Sequence, residues 1–156
     1  MRLPREARLT PDFLDMLHAL SAENARFLLV GAHARAIHGT PRATGDLDIW
    51  IRRDPDNARR LYRALARFGA PLEGISETDL QEPDMVFQIG VSPNRIDLLT
   101  DLTGVDFDHA WPNRKTIVFK GLEIGVIGRE DFLINKRATG RLRDLADVED
   151  VESHPR

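Results

Sequence analysis

The segment Asp46-Leu47-Asp48-Ile49-Trp50-Ile51 alternates strictly, and this constrains the fold more than any other stretch of the chain. On a β-strand, Leu47, Ile49 and Ile51 face one side and Asp46, Asp48 and Trp50 the other. One face therefore lies on a core. Trp50 continues the acidic face, so that face is not simply a wet surface.

The flanking sequence supplies partners for such a strand. Thr10 is a helix N-cap with Pro11 at the first helical position, and Phe13, Leu14, Met16, Leu17 and Leu20 recur at helical spacing. Phe27 to Val30 reads as a short buried strand ended by Gly31. A small-residue helix, Ala32 to Ile37, then runs to Gly39 and Pro41. Asp54-Pro55 opens a helix that buries Ala58, Leu61, Leu65 and Phe68 and stops at Gly69. Met85 to Val91 and Ile96 to Thr100 read as strands around Ser92-Pro93-Asn94. Thr116 to Phe119 and Leu122 to Ile127 read as a hairpin around Lys120-Gly121. Two helices, Arg129–Thr139 and Arg141–Val151, are separated by Gly140. The order predicts an α/β (α+β) fold: a single mixed β-sheet with helices packed on it, not a doubly wound dinucleotide domain. No G-x-G-x-x-G or P-loop motif is present.

At 156 residues and 42% hydrophobic content the chain suits one domain, 1–156, with a helix at 11–24, a core at 26–127 and C-terminal helices at 129–152. The longest apolar stretch, Phe27 to Ala32, is far short of the roughly 20 residues that span a membrane. The first residues carry charges with no apolar run behind them, so a cytoplasmic protein without a membrane association is expected. With no cysteine, thiolate chemistry and disulfides are excluded. The net charge of −3 hides eight arginines between residues 35 and 67 against four acids. Arg59, Arg60, Arg63 and Arg67 suit a solvated helix face, and those nearer the acidic pair are candidates for anion binding.

Carboxylates at i and i+2 on one strand face repel each other and raise each other's pKa. A hard divalent cation, Mg²⁺ or Mn²⁺, removes that conflict. Asp97, between Ile96 and Leu98, lies on the face opposite those apolar neighbours. If it comes beside Asp46 and Asp48, the three complete a metal cage suited to phosphoryl transfer. Gly31, at a strand-to-helix junction, permits close approach to a phosphate. His33 and His38 are five apart, which does not match an H-E-x-x-H metal pair, and packing or backbone hydrogen bonds are expected of them. Trp50 and Phe87 read as packing residues.

Together Val30-Gly31-Ala32, a spacer of thirteen residues, Asp46-Leu47-Asp48-Ile49 and the later Ile96-Asp97-Leu98 resemble the nucleotidyltransferase superfamily related to DNA polymerase β. Gly39 to Thr44 and the tail Ile134 to Asp147 resemble its small bacterial members, which include the AbiEii-type toxins of toxin–antitoxin systems. Ala32 departs from the pattern, standing where the family has a second glycine or serine. It keeps the small size and the N–H but has no hydroxyl.

The resemblance implies transfer of a nucleoside monophosphate from a nucleoside triphosphate such as ATP to a hydroxyl. Asp46, Asp48 and Asp97 would be the catalytic, metal-holding carboxylates for Mg²⁺ or Mn²⁺. Gly31 and Ala32 would cradle phosphates, and Lys136 and Arg42 would meet the triphosphate. Asp144 matches an acidic position that serves chemistry or nucleotide positioning. Lys136 and Asp144 also sit where helix dipoles favour their charges. The acceptor stays open among RNA or tRNA, a partner protein and a small molecule. A second reading is a catalytically degenerate nucleotide-binding module or one half of a toxin–antitoxin pair. A D-x-D glycosyltransferase would need a larger nucleotide-sugar domain than this length allows.

Overall fold

A computed structural model describes residues 9–41 and 44–155. Helix α1 spans Pro11–Ala22, with the Thr10 side chain accepting the Phe13 N–H as its cap. It stops two residues before the expected end, where Asn24 turns to a positive φ of 56°. Strand β1 (Phe27–Val30) leads directly into α2 (Gly31–His38), and β2 (Leu47–Ile51) follows. Asp46 is the residue just ahead of β2, so the acidic strand starts one position later than its alternation suggests. Helix α3 (Pro55–Phe68) is capped by Asp54 and closed by Gly69 in the left-handed region.

Strands β3 (Val86–Ile89) and β4 (Ile96–Leu99) come next. The hairpin is formed by β5 (Lys115–Phe119) and β6 (Leu122–Val126), and the chain ends in α5 (Arg129–Thr139) and α6 (Leu142–Glu152). One short helix was not foreseen, α4 (Phe107–Ala110), capped by the Asp106 side chain, and neither were 3₁₀ turns at Asp79–Gln81 and Trp111–Asn113. These pieces are single turns, too short for a periodic apolar pattern.

The sheet has six strands in the order β3-β4-β2-β1-β6-β5. Pairing is antiparallel for β1 with β2, β3 with β4 and β5 with β6, and parallel for β2 with β4 and β1 with β6. Leu47, Ile49 and Ile51 are fully buried, as the alternation requires, each contributing roughly 1.5–3 kcal/mol by burial. On the opposite face Trp50 is buried too, packed edge-on against Phe107 at 5.0 Å. That contact keeps water from the acidic strand's far end. Helices α1 and α3 pack on each other, and α2 packs on β1, β2, α5 and α6. No helix among the described residues is long and apolar enough to cross a membrane.

Candidate active site

Strand register assembles the carboxylates. In the parallel pair β2–β4, Asp48 stands directly beside Asp97, and Leu47 beside Ile96. Registered neighbours on adjacent strands share a face, with backbones roughly 4.8 Å apart. Asp46 lies one pleat before Asp48, and on the neighbouring strand segment Arg95 lies one pleat before Asp97. The result is a two-by-two array: Asp46 and Arg95 in one row, Asp48 and Asp97 in the next. Three of its four members are the carboxylates read from the sequence. The fourth, Arg95, was not singled out, although the same period of two puts it on the face of Asp97.

Arg95 engages two of the three acids. Its Nε and Nη2 donate to the two oxygens of Asp97 at 2.8 and 3.1 Å, and Nη2 lies 3.4 Å from Asp46. Asp46 further accepts the Ser92 hydroxyl at 2.6 Å and the Arg95 backbone N–H at 3.1 Å. The Ser92 bond, with the Arg95 N–H and charge, holds Asp46 below the ordinary carboxylate range despite partial burial. Asp48 is the contrary case. Burial, then the charge of Asp97 and hydrogen bonding with it, then the charge of Asp46, push its carboxyl up to about 6 against a smaller opposing pull from Lys136.

Asp48 is also pressed against the start of α2. Gly31 has φ +65°, and a Cβ there would lie 2.1 Å from Asp48 Oδ2. Glycine is required both by the backbone angle and by the space. No side chain caps the α2 N-terminus, and Ala32 beside Gly31 is exposed. The residues read as a phosphate cradle thus sit directly next to the carboxylate array. A cleft of about 240 Å³ joins Gly31 and Asp48 to Leu102, Asn135, Lys136 and Arg141. A larger hollow of about 590 Å³ lies elsewhere, among His38, Arg114, Lys115 and Arg129, and no acid lines it.

The tail residues reach this cleft in different ways. Lys136 Nζ lies 3.5 Å from both Asp144 and Asp147 and 5.5 Å above the Phe132 ring. Asp144 is buried and turned into the start of α6, where it accepts from Arg141 Nε at 2.7 Å and from the Arg141 backbone N–H at 3.3 Å. Burial would raise its carboxyl, but hydrogen bonds from Arg141 and Thr139 and the charge of Lys136 outweigh that and hold it at about 2. Asp144 therefore braces Lys136 and the start of α6. Asn135, which also lines the cleft and donates to the Thr103 carbonyl at 2.9 Å, was not foreseen, because nothing in its spacing marks it. Arg42 lies outside the described residues.

The arginine run is mostly neutralised. Arg35 is buried and paired with Asp147 and Asp150, Arg52 with Asp54 and Asp108, Arg53 with Asp101, Arg59 with Asp56 and Arg67 with Glu23. It is not a continuous anion-binding strip. Trp50 and Phe87 are buried as expected. His33 bonds to Thr44 at 3.0 Å and His38 to the Ile127 carbonyl at 2.7 Å.

Among the described residues, no three carboxylate or imidazole groups already converge as a ready metal cage. The donor set nevertheless suits one. Three hard oxygen ligands share a face, Asp48 is left with like-charged neighbours, and a cation, the Arg95 guanidinium, already bridges the outer two. The residues present fit a divalent ion once that guanidinium moves.

No protein-family model matches the chain, and neither does any curated protein. Solved structures do. A presumptive nucleotidyltransferase from Thermotoga maritima aligns with a TM-score of 0.52 at 16% identity, over 94% of this chain and 92% of its own. An antigenic nucleotidyltransferase-like protein from Paracoccidioides brasiliensis aligns with a TM-score of 0.52 at 16% identity, over 99% of this chain and 78% of its own. At that identity the likeness is one of fold, and the chain has a nucleotidyltransferase-like α+β fold.

Proposed function

We propose that this chain is a metal-dependent nucleotidyltransferase that moves a nucleoside monophosphate from a nucleoside triphosphate to a hydroxyl acceptor. The observation that carries this reading is the registered Asp48–Asp97 pair with Asp46 one pleat away, set against the glycine-opened N-terminus of α2. The nucleotidyltransferase-like fold supports it. Asp46, Asp48 and Asp97 would hold Mg²⁺ or Mn²⁺, which when bound would neutralise the charge developing on the transferred phosphoryl group.

In this reading the uncapped amides of Gly31 and Ala32 bind the phosphates from one side, and the Lys136 ammonium approaches as a point charge from α5. Asp97 orients the acceptor hydroxyl and takes its proton as the oxygen attacks the α-phosphorus. The bond to the bridging oxygen breaks and pyrophosphate leaves. Asp144 acts through Lys136 as a positioning residue. Small acceptors, proteins and RNA, including tRNA, are the acceptor classes to assay. The AbiEii-like tail makes a toxin–antitoxin setting part of the proposal.

The test is incubation with α-labelled nucleoside triphosphates and Mg²⁺ or Mn²⁺, with Asp48→Asn as control. Transfer of label that falls at least about 100-fold in the variant is the expected result, and transfer indifferent to Asp48→Asn overturns the mechanism. One observation favours a second reading, a nucleotide-binding module without catalysis: the Arg95 clamp on Asp97. Calorimetry distinguishes the two, since a protein that takes up no divalent metal even with nucleotide present is the module.

A further inference from the structure

Arg95 and Asp97 stand two apart on the same strand, so their bidentate bond joins no separate elements. A bond placed for stability would tie β4 to something else. Across the strands, among the described residues, the guanidinium meets Asp46, another member of the array, at 3.4 Å. The Arg95 side chain is 30% exposed whereas that of Asp97 is 11% exposed. The cation therefore enters from the solvent side and has a path back to it. Its charge sits between the two carboxylates that a divalent ion would have to bridge.

We propose that Arg95 is a built-in counter-ion of the carboxylate array, displaced when a divalent metal binds, and that it sets the metal affinity of the site. The inference rests on the metal-dependent reading above and adds a residue to it. A divalent ion bridging Asp46 and Asp97 would occupy the place the guanidinium now holds, since both Asp97 oxygens accept from it and Asp46 lies 3.4 Å away. Metal binding must then include the cost of breaking a bidentate, charge-assisted pair. Its removal would tighten the site, with a gain of about 10-fold or more. Arg95→Lys, which keeps the charge but loses the fork, would fall between.

The experiment is Mn²⁺ titration of the full chain by electron paramagnetic resonance and calorimetry, for the wild type, Arg95→Gln, Arg95→Lys and Arg95→Gln with Asp48→Asn. Thermal melts with and without Mn²⁺ accompany each titration. The expected result is tighter binding in Arg95→Gln by about 10-fold, intermediate binding in Arg95→Lys and loss of the gain in the double variant. Arg95→Gln should melt lower than wild type without metal and gain more on adding it. In the wild type, the Arg95 Nε–H resonance should shift as Mg²⁺ is added. Equal Mn²⁺ affinity in wild type and Arg95→Gln overturns the counter-ion role and leaves the metal reading standing. Absence of Mn²⁺ binding in every variant, with nucleotide present, overturns both. A lower melting point in Arg95→Gln that Mn²⁺ does not recover shows a stability staple instead.

Discussion

Two carboxylates in this molecule, one half-buried and one buried, behave in opposite ways. Asp48, on β2, is pushed up to about 6 by burial and by the acids around it. Asp144, on α6, is held at about 2 although it is the more buried of the two. The difference lies in the neighbours. Asp144 has Arg141 at 2.7 Å and Lys136 at 3.5 Å, and it accepts a hydrogen bond from the Arg141 backbone N–H. Asp48 has Asp97 beside it, Asp46 one pleat away and no short ion pair among the described residues. A group satisfied from all sides stabilises a fold. A group left in electrostatic conflict costs stability, and such groups cluster at functional sites.

The largest effect should come from the residue that makes the conflict possible. Gly31→Ala would put a Cβ 2.1 Å from Asp48 Oδ2 and force an L-residue to hold φ +65°. The angle alone costs about 1–2 kcal/mol, and the clash adds more, so a loss of at least about 3 kcal/mol is expected in chemical denaturation. Binding of Mn²⁺ should vanish with it. A Gly31→Ala protein as stable as wild type would show that Asp48 is not packed against α2.

Next comes the satisfied carboxylate. Asp144→Ala removes the acceptor of the Arg141 backbone N–H at the start of α6 and leaves Arg141 and Lys136 without their buried partner. A loss of about 2–3 kcal/mol is expected, from a lost hydrogen bond to the Arg141 backbone of roughly 1 kcal/mol and the unpaired charges. Asp144→Asn should recover part of that hydrogen bond. The sign of the pH dependence follows from the depressed carboxyl. The stability that Asp144 contributes is present above the unfolded value near 3.8 and is lost as pH falls toward about 2. Urea midpoints of wild type and Asp144→Asn should therefore converge in strong acid.

The contrast also marks what the sequence could reveal. The alternation from Asp46 to Ile51 was enough to put both acids on one face, and Gly31 and Asp97 were found by the motif they complete. What brings them together is the register of β2 against β4. Strands 47–51 and 96–99 are separated by helix α3, an irregular stretch and strand β3, and no local pattern reports their parallel pairing. Arg95 was within reach, two residues before Asp97, but an arginine at a strand start reads as solvated until its partner strand is known. Asp144 fits both a motif position and a helix cap, and only the Arg141 and Lys136 contacts show that bracing is its role in the fold. The pairing of the Arg35–Arg67 run was not legible, since its counter-charges, such as Asp108 and Asp150, come from distant parts of the chain.

Asp48→Asn should act with the opposite sign to Asp144→Asn. In the folded chain the Asp48 carboxyl keeps its proton up to about pH 6, whereas the unfolded carboxyl releases it near 3.8. The folded state binds the extra proton between those values. Stability therefore falls as pH rises through that window and stays lower above it. Asparagine carries no such charge, so the variant should gain on the order of 1–3 kcal/mol at pH 7 while losing nucleotide transfer. Thermal melts from pH 4 to 8 should show the wild type falling away from the variant across the window. Parallel curves would mean that Asp48 is not in conflict with its neighbours.

The smallest effect belongs to Lys136, which takes part in both regions. It contacts Asp144 and Asp147 at 3.5 Å, and its charge reaches Asp48 as the weakest of the influences there. Lys136→Met keeps the packing over Phe132 and removes only the charge. Asp48 should then rise above about 6 by less than roughly one unit, because burial and the two acids still dominate. Asp144 should rise from about 2 by a similarly small amount, since Arg141 remains in place. Carboxyl ¹³C titrations of the two aspartates would read both shifts in one experiment. A rise at Asp144 alone would confine Lys136 to bracing α6. A rise at both would show that one ammonium joins the satisfied corner to the unsatisfied one, poised between α6 and the cleft that a triphosphate would enter.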